Sequence, residues 1–490
     1  MTWPDYAVLI FLLSVLVALG YWTGHPNTDT TDFFLARRQI PWWAAALSFV
    51  AAEVSAVTVI SVPATAYMEN WEYAQFFIGS ALARAAIAYY FIPAFYRYNC
   101  TTIYHFLLYR FGSATQYTAT IFFFITRLLA SGVRLMAAAL AVSVLMGWSI
   151  GPAIAAFTIV NIAYIVYSGV RAAVWTGVLQ GAIDILAGVA AIVFLLVHIP
   201  GGWNAVSQIA GTAGHLNVFN WGPSWHDPLF FKKFMTHPNI FWIATLNGFF
   251  GSMAAFGTDH ELMQRLLTVE TRRDSQRTML TTPFISFGTL MIYLTVGACL
   301  FTFYHLNPQL PLPQKADAIF PHFIGQVMPA GLRGFLLTAI VMAGIHSPLT
   351  SLTASFVTDI YKPLIRGGSD EKHYLFVSRI CVGVFAVILA LLAYGFSFFD
   401  KILWLAFKIG GVTFGSLLGV FLLGLLTTRR SNRANVAGMV LMAIVNAALL
   451  FLSEKQIVPL GWSWLVLIGT FGTMTIGYVL GPMLDPKGRT

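Results

Sequence analysis

Charged side chains are scarce in this chain: Asp, Glu, Lys and Arg make up 10% of its 490 residues. A soluble globular domain carries about 25%, so a water-exposed fold is excluded. Acidic groups are scarcer than basic ones, 19 against 28. In a soluble protein that surplus would point to nucleic acid. In a chain this apolar it points instead to Lys and Arg gathered in the loops on one side of a bilayer. Only three cysteines occur, Cys100, Cys299 and Cys381, far apart and in or beside apolar runs. That spacing excludes a disulfide framework and a cysteine metal cluster. No basic flank precedes the first apolar run, roughly 6–21, so it reads as a retained helix rather than a cleaved signal. No nucleophile–base pair, metal-ligand cluster or phosphate loop stands out, which argues against an enzyme and leaves no resident cofactor to expect.

Apolar runs are abundant. Hydrophobic residues make up 58% of the chain, and the mean hydropathy is +0.74. Runs of 18 or more apolar residues predict an all-α, polytopic membrane protein. Thirteen spans are expected, roughly 6–22, 42–67, 73–96, 117–147, 150–168, 173–198, 239–259, 279–304, 332–360, 374–396, 400–427, 433–453 and 461–482. With the N-terminus outside and the C-terminus inside, 17 Lys and Arg residues fall in inner loops and 5 in outer ones. The positive-inside rule selects that orientation, in a cytoplasmic membrane. The stretch 104–111 is too short to span and is expected along the inner interface. The two long outer connections, 201–238 and 307–331, read either as parts of a gate or as spacers.

The stretch 41–67, PWWAAALSFVAAEVSAVTVISVPATAY, is long enough to cross a bilayer yet carries Glu53, Ser55 and Thr58 at membrane depth and Pro63 near its end. A carboxylate there costs about 2.5–3.5 kcal/mol or more unless it is paired or faces water. An opened helix lining a midplane site is therefore expected, with Pro63 interrupting its last turns. Five spans from residue 41 to 199 and five from 239 to 427 suggest an inverted repeat. Segment 1–40 precedes it, 200–238 joins the halves, and 428–490 adds two trailing spans. The first helix of each half is expected to be broken; in the second half the candidate is 245–260, with Gly248, Gly251 and Gly257. Close helix packing is the alternative reading of those glycines.

At this point the residues resemble a family. SFVAAEVSAVTVISVPATAY is similar to the first core helix of the sodium/solute symporters, the group of the sodium–glucose, proline and sialic acid transporters. YSGVRAAVWTGVLQ at 167–180, FGTDHELMQRLLTVETRRDSQR at 256–277, PAGLRGFLLTAIVMAGIHSPLTSLTASFVTDIYKP at 329–363 and WLAFKIGGVTFGSLLGVFLLGLL at 404–426 resemble further family segments in order. The resemblance implies a LeuT-type 5+5 inverted repeat, alternating access, and a small-molecule solute held between the broken helices. No nucleic acid and no obligate protein partner are expected; the lipid bilayer is.

The chain departs from that family where sodium would bind. The resemblance places sodium-ligating carbonyls at Ala51, Val54 and Ile340, and two hydroxyls at Ala343 and Gly344, which have none. The aspartate of the family's Trp-Thr-Asp pattern falls on Gly177. Sodium is a hard cation that needs several oxygens. Proton coupling or uniport is therefore favoured over the family's sodium coupling. His346, Glu53 and Asp184, with Ser347, are the ion-coupling candidates; each has a structural alternative, such as Glu53 pairing with a buried arginine.

Arg127 and Arg134 stand seven residues apart on one predicted helix. Members that carry acidic sugars use an arginine in this helix to hold a carboxylate, a task its planar fork suits. Glu53, Val57, Thr58, Arg134, Asn247, Phe250, Phe256 and Phe414 are the expected walls of the solute site. The expected function is secondary transport of a small polar solute, a carboxylate or acidic sugar. A conventional sodium symporter and a transporter-like sensor are the alternatives. The chain's end at Thr490, with no appended signalling domain, argues against the sensor.

Overall fold

The computed structural model describes residues 1–23, 29–345, 348–398 and 402–485. Every regular element among the described residues is helical. Helix α1, Trp3–Thr23, is apolar apart from Asp5 in its first turn. Asp5 is buried and docks α1 onto the second half of the chain. Its Oδ1 accepts from the backbone N–H groups of Gly331 and Gly334 at 3.0 and 3.1 Å, and its Oδ2 from Arg333 Nε at 2.9 Å. A Cβ at Gly334 would lie 2.6 Å from the Asp5 backbone, so glycine alone admits this approach.

Helix α2, Thr30–Leu35, is short and capped by Asp29, whose carboxylate accepts from the Asp32 N–H. Helix α3, Trp42–Glu53, stops where Val54 and Ser55 turn extended, at ψ 101° and 177°. The chain resumes as α4, Ala56–Met68, bent by 59°. The opened helix is thus present, but Pro63 does not interrupt it: α4 runs through Pro63 to Met68. Packing carries it past the proline, since a Cβ at Gly297 would lie 2.4 Å from the Pro63 carbonyl oxygen.

Helix α5, Phe76–Ala86, passes through a π turn at Ile87–Phe91 into α6, Ile92–Arg97. Helix α7, Tyr104–Arg110, has seven residues and cannot span. Helix α8, Ser113–Met146, and helix α9, Ile150–His198, are long; α9 bends at Gly169, whose φ of 59° suits glycine. The connection after α9 carries α10, Gly202–Thr212, and α11, Phe230–Thr236. Helix α12 covers Phe241–Gly257, α13 His260–Leu267 and α14 Arg272–Leu306. Helix α15, Ile319–Val327, precedes α16, Leu332–Ile345, and α17, Leu349–Ser355, which runs on as a π segment over Phe356–Ile365. The chain ends with α18, Glu371–Phe396, α19, Ile402–Leu426, α20, Arg433–Glu454, and α21, Leu465–Leu484.

Among the described residues eleven helices are long and apolar enough to span, or up to twelve if α3 and α4 form one bent span. The expected count of thirteen is not confirmed among the described residues, where Ile150–Ile162, the first part of α9, counts as a shorter apolar helix. The expected break within 245–260 is present but does not fall at Gly248 or Gly251, for α12 is continuous to Gly257. Two of the glycines that cross here serve packing. A Cβ at Gly248 would lie 2.1 Å from the Phe76 carbonyl oxygen, and one at Gly79 would lie 2.0 Å from that of Thr245. Backbones this close are how membrane helices gain van der Waals contact without a hydrophobic drive. The break comes later, at Thr258 and Asp259, where the Asp259 carboxylate caps α13 by accepting from Glu261 N–H at 2.9 Å.

The buried side chains form two large apolar clusters. One joins α4, α9, α14 and α16. The other joins α5, α6, α7, α12 and α19. Helix α8 contributes to both, through Met136 and Ala138 in the first and Phe122 and Phe123 in the second. That position puts Arg134 of α8 beside the break between α3 and α4.

Candidate functional site

The α3–α4 break leaves the last carbonyls of α3 without their intrahelical partners. Glu53, the last residue of α3, is spoken for. Arg84 Nη2 lies 2.5 Å from Glu53 Oε1, and Ser286 Oγ donates to Glu53 Oε2 at 2.6 Å. Arg84 Nη1 in turn donates to Ser286 Oγ at 3.2 Å. Arg84 is fully buried, with its guanidinium 4.5 Å from the centre of the Phe256 ring. The triangle ties α3, α5 and α14 together at the break. Charge neutralisation, hydrogen bonding and a ring face together offset the burial of the arginine.

Arg134 of α8 takes a different part. Its Nη1 donates to the Ala52 carbonyl at 2.7 Å, one residue before Glu53. Among the described residues no carboxylate forms an ion pair with it. It borders a cavity of about 20 Å³ together with Ser131, Thr158, Asn161 and Gly344. That is room for about one water. A half-buried cation beside Ser131, Thr158 and Asn161 and with no carboxylate of its own can hold an anionic group once the crevice widens.

Gly344 shares that cavity with Arg134. A Cβ at Gly344 would lie 2.2 Å from Ala138 Cβ and 3.2 Å from the Phe157 ring. Helix α8 therefore presses on α16 where a hydroxyl side chain would have to stand. Ala51, Val54, Ile340 and Ala343 are all buried nearby in sequence on the broken helix and on α16. At Gly177 an added Cβ would meet Ser48 Oγ at 2.7 Å, and that hydroxyl accepts from Arg265 Nε at 3.2 Å. His346 and Ser347 lie outside the described residues.

Asp184 sits on α9 and is 1% exposed; neither carboxylate oxygen has a partner in hydrogen-bonding geometry. Val57 is buried and Thr58 half-buried in the first turn of α4. Asn247 is buried on α12. Phe256 packs edge-on against Phe49, with ring centres 5.7 Å apart, inside the Arg84 cluster. Phe250 turns to Phe471 of α21, at 5.2 Å. Phe414 is half-buried on α19, beside Thr413, whose hydroxyl lies 2.5 Å from that of Thr126 on α8. The structure thus brings Arg134 and Gly344 to one cavity and places Phe250 and Phe256 in other packing.

A buried ionic cluster below the site was not foreseen. Arg127 bonds to the Asp259 carboxylate through Nε and Nη2, and its Nη1 lies 2.5 Å from Glu261 Oε2. All three side chains are nearly inaccessible. Burial pushes the Asp259 carboxyl above its ordinary range, against the pull of Arg127. His260, between these acids, packs edge-on to Tyr104 and Phe123, and burial pushes its pKa down to about 3. Another missed group is Asp359, buried where α17 ends, which accepts from Thr102 Oγ1 at 2.7 Å and Gln116 Nε2 at 3.2 Å. Polar residues inside apolar runs, such as Asn161 and Ser286, were the available signal for the cavity and the Glu53 triangle.

The comparisons with known proteins agree with this geometry. A family model described as the Sodium:solute symporter family matches residues 33–441. A sodium/sialic acid symporter of Proteus mirabilis (strain HI4320) is 26% identical, over 98% of this chain and 95% of its own. The sodium-coupled monocarboxylate transporter 1 of Homo sapiens is 25% identical, over 89% of this chain and 71% of its own. A solved structure of a Na⁺-coupled sialic acid symporter, substrate-bound and outward-open, is 23% identical; it matches with a TM-score of 0.87 over 99% of both chains. At that identity the likeness establishes the fold, a LeuT-type helical bundle.

Proposed function

The chain belongs to the sodium:solute symporter family, whose members are membrane transporters and not enzymes, and from that premise we propose that it carries a small carboxylate-bearing solute, an acidic sugar, with Arg134 as the anchor of the carboxylate. The observation that carries this reading is the Arg134 guanidinium. It is held at the helix break by the Ala52 carbonyl, lines a small cavity of mixed polar and apolar walls, and has no ion pair among the described residues. The names of the relatives, a sialic acid symporter and a monocarboxylate transporter, support an anionic solute. Movement is by alternating access, with five-helix repeats at 41–199 and 239–427 closing in turn on either side. The protein sits in the cytoplasmic membrane with its N-terminus outside.

Coupling to sodium is the point on which this chain departs. Ala343, Gly344 and Gly177 bring no side-chain oxygen, and the space a hydroxyl at Gly344 would need is taken by Ala138. These observations support a proton-coupled or uncoupled carrier. Conventional sodium symport is the second reading, favoured by the sodium coupling named for both relatives. Uptake of sialic acid into proteoliposomes, with sodium or choline and at mildly acidic or neutral pH, separates the two. Arg134→Gln is expected to weaken sialic acid binding roughly 10–100-fold, the worth of a charge-assisted hydrogen bond. Unchanged affinity in that variant would remove the anchor. Uptake that requires sodium would remove the sodium-independent reading and leave the anchor standing.

A further inference from the structure

A large groove lies away from Arg134, where α6 and α7 meet the ends of α19, α20 and α21. Its volume is about 2090 Å³, above the ~300–1,000 Å³ of small-molecule pockets. Five arginines line it, Arg97, Arg110, Arg272, Arg430 and Arg433, and a single acid, Asp485. The acid is already engaged: its carboxylate accepts from the backbone N–H groups of Arg433 and Ala434, at 2.9 and 3.3 Å, and so caps α20. Arg110 is likewise committed, donating to the carbonyls of Gly424 and Thr427 at the end of α19. The other four guanidiniums form no ion pair among the described residues. Burial, and to a smaller degree the neighbouring Arg430, hold the Arg110 guanidinium below its ordinary range against the pull of Tyr98.

The rim has another character. Tyr90, Tyr109 and Met483 border the groove and are 59%, 62% and 74% exposed. Aromatic residues of this kind sit where headgroups meet acyl chains. Exposed arginines beside exposed apolar and aromatic side chains in one groove are complementary to one kind of molecule, an anion that continues into hydrocarbon. A free anion would leave the apolar side chains bare.

We propose that this groove binds the headgroup of an anionic phospholipid, whose phosphate is held by Arg97, Arg272, Arg430 and Arg433 and whose chains leave over Tyr90, Tyr109 and Met483. In the orientation given above the groove faces the inner leaflet. Basic pockets between helix ends on that side are suited to such lipids. The proposal does not use the Arg134 reading, so its test needs no transported solute.

The test is native mass spectrometry and thermal melting of the purified full chain in detergent. The probes are cardiolipin, phosphatidylglycerol, phosphatidylcholine and inorganic phosphate. Cardiolipin and phosphatidylglycerol are expected to be retained and to raise the melting temperature above that with phosphatidylcholine. In the Arg97→Gln/Arg430→Gln variant their retention is expected to fall roughly 30-fold, from the loss of two basic contacts. Its lipid-free melting temperature should match the parent's. If that pair fails to fold, Arg272→Gln/Arg433→Gln tests the same groove and should show a similar loss. Equal retention of phosphatidylcholine, or retention unaffected by the substitutions, would overturn the proposal. So would inorganic phosphate stabilising as strongly as the lipids, which would make this a site for a free anion.

Discussion

Arg84 and Glu53, 31 residues apart in the chain, meet 2.5 Å apart at the edge of the broken helix. The guanidinium is wholly buried and the carboxylate nearly so. Removing one partner of such a pair strands the other charge at a cost of about 3–5 kcal/mol, whereas replacing both with apolar groups is often neutral. Glu53→Gln and Arg84→Met are each expected to lower the melting temperature sharply, and the double variant Glu53→Leu/Arg84→Met to regain most of the loss. A double-mutant cycle on detergent-solubilised protein measures this. A Glu53 variant of parental stability would release that carboxylate for a coupling role.

Ala138 and Gly344 test the sodium reading. Gly344→Ser alone must push against Ala138 Cβ, 2.2 Å from where the new Cβ would stand. Overpacking of this kind costs about 1–3 kcal/mol. Adding Ala138→Gly makes room. The triple variant Ala138→Gly/Ala343→Ser/Gly344→Ser is expected to gain a sodium-dependent rise in melting temperature that the parent lacks. A parent already stabilised by sodium over choline would mean that other oxygens serve the ion.

Asp184 is the described coupling candidate without a partner. Gln180, one turn earlier, is the polar side chain turned towards it, but its amide lies outside hydrogen-bonding geometry, and both carboxylate oxygens are buried. Asp184→Asn keeps the shape and removes the cost of a lone buried charge. The variant is expected to melt at or above the parent's temperature. If Asp184 carries the proton, it also binds solute with uptake no longer dependent on pH. An Asn variant with the parent's pH profile would remove Asp184 from coupling.

His260 gives a pH signature to stability. Burial brings its pKa from 6.5 to about 3. Between those values the unfolded chain binds a proton that the native protein does not, so stability falls as pH falls through that window. Asp259 acts in the opposite sense, because its raised pKa favours the native protein as pH falls. The comparison of the parent with His260→Asn isolates the histidine. The variant is expected to lose less stability between neutral and acid pH, read from melting temperature. Identical slopes would show that the histidine gains access to water.

Much of the fold was legible in the residues because its causes are local. Apolar runs separated by basic loops specify spanning helices, and polar residues inside 41–67 mark a helix that must open. Length alone marked 104–111 as too short to span. Local signals failed where a neighbour decided the outcome. Pro63 stays helical under Gly297, and Gly248 stays helical because its missing side chain admits the Phe76 backbone.

The sequence by itself determined the class of this protein: a polytopic helical carrier of the sodium:solute symporter family, with a carboxylate and arginines inside its apolar runs. Hydrophobicity and side-chain identity need no partner to be read. Tertiary structure alone decided which charge meets which. Glu53 takes Arg84 and Ser286, Arg127 takes Asp259 and Glu261, and Arg134 is left to a carbonyl. A buried charge must find its counter-charge in space, and helices distant in sequence supply it only once they pack. The same packing set Ala138 against Gly344, which no reading of α8 or α16 alone could foresee.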